Sequence, residues 1–287
     1  MKTASSLTTS AKLIINKESE SILELPIQEQ LNLFKRFGVL LFRDFGVDYD
    51  KMKEFAEQFS SKFVLDKDRP IVDSRNKFVT LVDPGMHYVS PHCENANSPF
   101  RPDVIWFCCG VPAAQSGETL FWDGVRVWEE LSKELRELFI TRKIKFLQKF
   151  PPADWRRFLG VGSTIADVKQ MLNGISGLSY KINPDQSVSI EYVCSAVVKT
   201  KYGHQNAFAN SLIAEYKNPR GNVTFEDGSS ISSTVINQIN QVINSCTEVI
   251  SWQPGDLVMI DNSRFLHGRR SFSDRNRRIY SLLSYLK

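Results

Sequence analysis

Between Lys77 and Gly124 the chain breaks into short apolar runs divided by turn-forming residues: KFVTLVD, then DVIWFCCGVP, then GETLFWDG. Runs of this length, rich in β-branched and aromatic residues, read as strands of a mostly antiparallel sheet. The same texture returns late in the chain, where WQPGD turns a helix into LVMID, and it closes the chain as RRIYSLLSYL. The core is therefore expected to begin near Lys77 and to be completed by segments almost two hundred residues further on.

Around that framework the apolar spacing changes. SILELPIQEQLNLFKRF has a helical period ending at Gly38, Val39 to Phe42 suits a buried strand, and DYDKMKEFAEQFS follows as a helix with Asp48 or Asp50 at its start. Residues 125 to 180 return to helical spacing in VWEELSKELRELFI and TIADVKQMLNGI, broken at Pro151-Pro152. After SIEYVCSAVVKT comes KYGHQNAFANSLIAEYKNPRGN, a polar stretch long enough to suggest a lid or substrate loop at 197 to 222. Thr234 to Val249 carries an i, i+3, i+4, i+7 apolar stripe. No repeat or linker divides the 287 residues, so a single domain with a helical and loop insertion at about 125 to 230 is expected.

Composition narrows the function classes. Lys and Arg number 36 against 32 Asp and Glu, with no uninterrupted basic run to mark a nucleic-acid or membrane surface, so a small-molecule or protein partner is expected. Five cysteines, an odd number without a CxxC spacing, suggest neither a disulfide framework nor a thiolate zinc site. No run of about 18 apolar residues occurs, and the first residues lack the apolar centre of a signal peptide. A cytoplasmic location is the expectation.

Only four histidines are present, His87, His92, His204 and His267, so a histidine-based metal site has few sources. In SPHCENANSPFRPD, His92 and Glu94 stand two apart and would share one face of a strand, with Cys93 turned away as a packing residue. His267, just after LVMIDN and before Gly268, could be delivered by a neighbouring strand. Two imidazoles and one carboxylate on one side of an ion leave positions open, which suits ferrous iron binding an organic co-substrate and dioxygen. The same ligands could hold zinc with a bound water.

Taken together, HCENANSPFRPDVIWFCCGVPAAQSGETLFWDG, WQPGDLVMIDNSRFLHGRRSF, RNRRIY and the early FKRFGVLLFRDFGVD resemble the TauD/TfdA family of iron(II)/2-oxoglutarate-dependent dioxygenases. Within it the HxEN and GETLFWDG stretches are similar to SyrP-like and clavaminate-synthase-like amino-acid hydroxylases. The resemblance implies a double-stranded β-helix, or jelly-roll, mainly β with flanking helices. It implies Fe(II) held by His92, Glu94 and His267, with 2-oxoglutarate and O2 as co-substrates. It also implies that Thr119 contacts 2-oxoglutarate and that Arg278, eleven residues beyond the distal histidine, grips its far carboxylate. A second arginine four residues further on in the taurine enzymes is Leu282 here, leaving Arg277 or Ser281 as substitutes. Asn95, His204 and Arg269 are candidates for touching substrate. The implied reaction is hydroxylation of an unactivated C–H bond of an amino acid or amino-acid-derived metabolite, free or tethered to a carrier protein, with desaturation or cyclisation sharing the same start. A non-redox His2Glu metalloenzyme and a catalytically silent metal-binding relative are the alternatives.

Overall fold

Val39-Leu40-Leu41-Phe42 is apolar at every position because both faces of its strand are covered. Val39 and Leu41 point into one cluster of buried side chains, Leu40 and Phe42 into another. That double burial sets the architecture. A computed structural model describes residues 10–66, 69–82, 85–218 and 222–287. Its largest sheet runs in the order β1 (Ala11–Ile15), β2 (Val39–Arg43), β15 (Leu257–Asp261), β6 (Val104–Val111), β17 (Arg278–Leu286) and β3 (Ser60–Val64), with the two-residue β4 (Thr80–Leu81) also paired to β17. Facing it is a four-stranded sheet ordered β14 (Glu248–Ile250), β7 (Thr119–Asp123), β16 (Phe265–Arg269) and β5 (Val89–His92). β1 and β2 pair in parallel; the other strand pairs in these two sheets are antiparallel.

The interior between the sheets is filled from both sides, by Ile105, Phe107, Val258, Ile260, Ile279 and Leu283 of the larger sheet and by Phe121, Ile250 and Phe265 of the smaller. Such opposed layers bury each strand's alternate residues, at roughly 1.5–3 kcal/mol for each large apolar side chain taken from water. The outer face of the larger sheet presents Leu40, Phe42, Trp106, Met259 and Leu282 to α1 (Ile27–Phe37) and α2 (Tyr49–Phe59). Both helices start and stop where local chemistry allows. Gly38 takes a left-handed φ of 75° after α1, and the Asp48 carboxylate accepts the Lys51 N–H at 2.8 Å to start α2.

On the outer face of the smaller sheet, Leu120, Trp122 and Leu266 pack against α3 (Gly124–Glu130), α4 (Lys133–Thr141) and α8 (Ser233–Ser245). The region expected to be a helical insertion carries a sheet of its own, ordered β13 (Asn222–Phe225), β8 (Ile144–Phe150), β10 (Val188–Cys194) and β9 (Leu178–Ile182). Against it lie the short helices α5 (Pro152–Leu159) and α6 (Ile165–Leu172), through Trp155, Val168 and Leu172. The stripe from Thr234 ends earlier than its periodicity suggested, because Glu248–Ile250 leaves the helix to pair with β7.

The polar stretch expected to be a lid is for the most part not a free loop. It holds the small hairpin of β11 (Val198–Lys199) with β12 (Asn206–Ala207) and the one-turn α7 (Leu212–Lys217). Ala207, Phe208, Ala209, Leu212 and Ile213 are fully buried in the cluster beneath the smaller sheet. No helix among the described residues is long and apolar enough to cross a membrane.

Candidate metal and co-substrate site

The smaller sheet sets the site by register. β16 lies between β7 and β5, with His267 opposite His92 on one side and opposite Phe121 on the other. Since Phe265 and Phe121 point into the interior, strand alternation sends His267 and Arg269 of β16 and Thr119 of β7 into the same interior. The His92 and His267 ring centroids are 4.3 Å apart. Phe107, from the facing sheet, stands 5.5 Å from the His267 ring and walls the site.

Glu94 lies just past the end of β5, in a turn, so strand alternation alone does not hold it. Asn262 does. Its side-chain oxygen accepts the Glu94 N–H at 2.9 Å, and its amide donates to the carbonyls of Glu94 at 3.0 Å and Pro102 at 2.8 Å. Asn262 is wholly buried, so its three bonds form away from competing water. Asn95 takes a left-handed φ of 55° and its carbonyl accepts from Ser98, which makes it the turn-former beside the acid rather than its clamp. Cys93 turns away into the cluster under the smaller sheet, and all five cysteines are free thiols.

The donor atoms fit a divalent metal. The His92 Nδ1 sits 2.8 Å from the Ser90 carbonyl, a contact that places the ring proton there and leaves the Nε2 lone pair for the site. His92 Nε2 and His267 Nε2 lie 3.9 and 3.4 Å from Glu94 Oε1, and one donor atom from each of the three residues falls within 4.8 Å of the others. Donors about 2.1 Å from one ion and at right angles to each other would be about 3 Å apart. Small movements close that gap. Among the described residues this is the one grouping of three His, Cys, Asp or Glu side chains that could hold a metal.

The electrostatics favour a cation at the carboxylate. Burial opposes ionisation of Glu94, but Arg69 and then the two imidazoles outweigh it and hold the carboxyl well below the usual range. Burial, reinforced by His92, pulls His267 down to about 4, so its imidazole is neutral and able to ligate at neutral pH.

On the interior face of β7, Thr119 is buried and accepts a hydrogen bond from the Trp252 indole at 3.0 Å. Beside it, across β16, lies Arg269, whose guanidinium donates to the carbonyls of Gly85 and His87 and so fastens the loop before β5. Arg277 has the same parity as Ile279 and Leu283, which face the interior. It is buried, and its Nε donates to the Gly117 carbonyl at 3.0 Å. Its guanidinium and that of Arg269 flank the Phe272 ring, at 5.1 and 5.0 Å from the centroid. Burial and then the Arg269 charge bring Arg277 down to about 10, and no carboxylate among the described residues pairs with it. A cavity of about 460 Å³ adjoins it, walled by Leu81, Val82, Met86, Phe272 and Ile279, with Arg275 and Arg278 also on its surface.

Arg278, eleven residues beyond the distal histidine, lies on the exposed side of that cavity. Arg278 is exposed, and its guanidinium donates to the main-chain carbonyls of Arg275 and Arg277 rather than reaching inward. Arg277, the residue before it, is the buried member of the pair. His204 also falls outside the site. It is exposed at the turn between β11 and β12, where neighbouring Tyr202 packs edge-on to Phe34 of α1.

Two residues beside Glu94 were not among the candidates read from the sequence. Asn262 carried a faint signal, a polar side chain between an apolar strand and the LHGR stretch. Arg69 carried none, lying between β3 and β4 and outside the quoted motifs. Its guanidinium donates to Glu94 Oε1 and, at 3.0 Å, to Ser281 Oγ, and pairs with Asp66 at 3.2 Å.

Comparison with known proteins agrees with this geometry. A clavaminate synthase-like protein of Arabidopsis thaliana is 30% identical over 88% of this chain and 83% of its own length. The 3-((Z)-2-isocyanoethenyl)-1H-indole synthase of Fischerella ambigua is 24% identical over 93% of this chain and 89% of its own. Among solved structures, PvcB of Pseudomonas aeruginosa, an Fe, alpha-ketoglutarate-dependent oxygenase from an isonitrile synthetic pathway, superposes with a TM-score of 0.61 at 15% identity. That superposition covers 96% of this chain and 85% of that one, and shows the shared double-stranded β-helix. The family model described as taurine catabolism dioxygenase TauD, TfdA family matches residues 10–283, and the chain thus belongs to the TauD/TfdA family of iron(II)- and 2-oxoglutarate-dependent dioxygenases.

Proposed function

We propose that this protein oxidises an unactivated C–H bond of an amino acid or amino-acid-derived metabolite, most simply by hydroxylation, with 2-oxoglutarate converted to succinate and carbon dioxide. His92, Glu94 and His267 would hold the ferrous ion. Iron, when bound there, supplies the redox chemistry that joins dioxygen, 2-oxoglutarate and substrate. The rest is positioning by the chain. Asn262 fixes the Glu94 backbone, Ser90 orients His92, and Phe107 keeps water from the imidazoles. Arg277, desolvated and held by the Gly117 carbonyl, offers a planar fork to the far carboxylate of 2-oxoglutarate.

The observation that carries this reading is the one-sided His2Glu set together with a buried arginine, Arg277, that shares the Phe272 ring with Arg269, two residues beyond His267 on the same strand. A hydrolytic zinc site would leave that second feature without a role. The test is succinate formation from 2-oxoglutarate by anaerobically iron-loaded protein, exposed to oxygen with pooled amino acids and metabolites beside a His267→Ala control. Succinate that rises with a pool and vanishes in the control supports the reading. Protein that binds neither iron nor 2-oxoglutarate overturns it.

A further inference from the structure

Cys93 and Glu94 have four main-chain polar groups between them, and residues from two remote segments bond all four. The Cys93 N–H donates to the Asn210 carbonyl at 3.1 Å, and the Cys93 carbonyl accepts from the Ser211 hydroxyl at 2.8 Å. The Glu94 N–H and carbonyl both bond the Asn262 side chain, at 2.9 and 3.0 Å. The ligand acid is thus held between one support in the stretch after β12 and another in the turn after β15. Asn210, Ser211 and Asn262 are all buried, so these bonds form away from competing water.

Arg101, in the stretch that follows Glu94, joins the two supports. Its Nη1 donates to the Ala209 carbonyl at 2.9 Å and its Nη2 to the Asn262 carbonyl. Ala209 directly precedes Asn210, so one planar guanidinium sets the spacing between the segments that hold the two sides of the ligand turn. A lysine ammonium presents its donors from a single nitrogen and lacks that fixed fork. The carbonyls of Pro102 and Asp103 also hold Asn262, accepting from its amide at 2.8 Å and its main-chain N–H at 2.9 Å, but they belong to the segment that Arg101 itself sits on. They tie Asn262 to that segment, and the guanidinium carries the tie across to Ala209.

We infer that Arg101 is a positioning residue of the metal site: by fixing Asn262 against the 209–211 segment, it sets where Glu94 presents its carboxylate to the ion. It acts through main-chain carbonyls and Asn262, not by touching the ion or the substrate. Resting on the reading of His92, Glu94 and His267 as the ferrous site, this role deepens it, because a stretch that reads as a lid in the sequence then carries half of the ligand's support. Ligand geometry depends on such supporting bonds as well as on the ligands themselves.

The experiment titrates the full chain with Mn(II), followed by electron paramagnetic resonance, on wild type, Arg101→Met, Asn262→Ala, the double variant and Met52→Ala. Urea unfolding of each metal-free protein is measured beside it. Met52 is buried in the cluster on the outer face of the larger sheet, so its truncation lowers stability without touching either support. Arg101→Met should bind Mn(II) about tenfold more weakly than wild type, and Met52→Ala within about twofold of it. Added to Asn262→Ala, Arg101→Met should cost no more than about a further twofold, because the support that it braces has already gone. If Arg101→Met does not fold, Arg101→Lys carries the same comparisons with a smaller loss. Unchanged Mn(II) affinity in the Arg101 variant, an equal loss in Met52→Ala, or losses that multiply in the double variant each overturn the role while leaving the metal site in place. A wild type that binds no Mn(II) overturns the metal reading and this role with it.

Discussion

Asn262 and Arg277 illustrate how much depends on single side chains beside the ligands themselves. Asn262 spends all of its hydrogen-bonding capacity on main chain, two of its three bonds on Glu94 itself. Asn262→Ala leaves a buried peptide N–H unsatisfied and frees the ligand turn. Metal affinity should fall about 10- to 100-fold, a loss typical of removing a ligand's support, while the fold survives. Isothermal titration with Mn(II) on the variant checks this, and undiminished affinity would show that the turn holds itself. Arg277→Ala should weaken 2-oxoglutarate binding by about 10- to 100-fold, the equivalent of about 1.5–3 kcal/mol for a charge-assisted contact, with Mn(II) affinity unchanged. Arg278→Ala, whose guanidinium is exposed and tied to main-chain carbonyls, should leave both affinities within about twofold. Equal losses in the two variants would return the carboxylate to Arg278.

At the level of elements, two close approaches hold the histidine strand. A Cβ on Gly268 would meet the Val89 carbonyl oxygen at 2.5 Å and the Trp122 ring at 3.2 Å, so β16 can lie this close to β5 only with glycine next to the distal histidine. Gly268→Ala should cost about 1–3 kcal/mol, read by urea unfolding, and should weaken Mn(II) binding because His267 moves with its strand. Intact metal binding in a destabilised variant would separate the two effects. The segment expected to be a lid behaves differently from its sequence. The Phe208 ring packs against Phe139, its N–H donates to the Gly124 carbonyl, and Asn210 and Ser211 hold the main chain of Cys93. Phe208→Ala should therefore act as a core truncation, costing about 3–5 kcal/mol, whereas His204→Ala at the exposed turn should change neither stability nor 2-oxoglutarate turnover. Loss of coupling without loss of stability in the Phe208 variant would restore the lid.

For the whole molecule, the site joins distant parts of the chain. His92 and Glu94 come from the first third, His267 and Arg277 from the last fifth, and the two facing sheets close around them. A ligand that bridges such segments stabilises the native state by mass action, about 2.7 kcal/mol at a hundred times its dissociation constant. Mn(II) should raise the Tm of the wild type, chelation should reverse the rise, and His267→Ala should abolish it. An equal rise in that variant would place the ion elsewhere.

What the sequence alone determined follows from features that are local along the chain. Burial patterns of four to eight residues mark β2, β6, β7, β15 and β17, because a strand covered on both faces must be apolar throughout. The scarcity of histidine limits any imidazole site to four residues. Four motifs in order carry the family. What only the tertiary structure decided depends on contacts between segments remote in sequence. Of the pair Arg277 and Arg278, the folded chain buries the first and leaves the second exposed. The packing of a polar-looking stretch under the smaller sheet put Ala207 to Ala209, Leu212 and Ile213 of an expected lid into the core, and a sheet arose where helices and loops were expected because β8 and β10 found each other across nearly forty residues. Arg69 and Asn262 reach Glu94 from opposite ends of the chain, and no local pattern encodes a hydrogen bond that exists only after the sheets have closed.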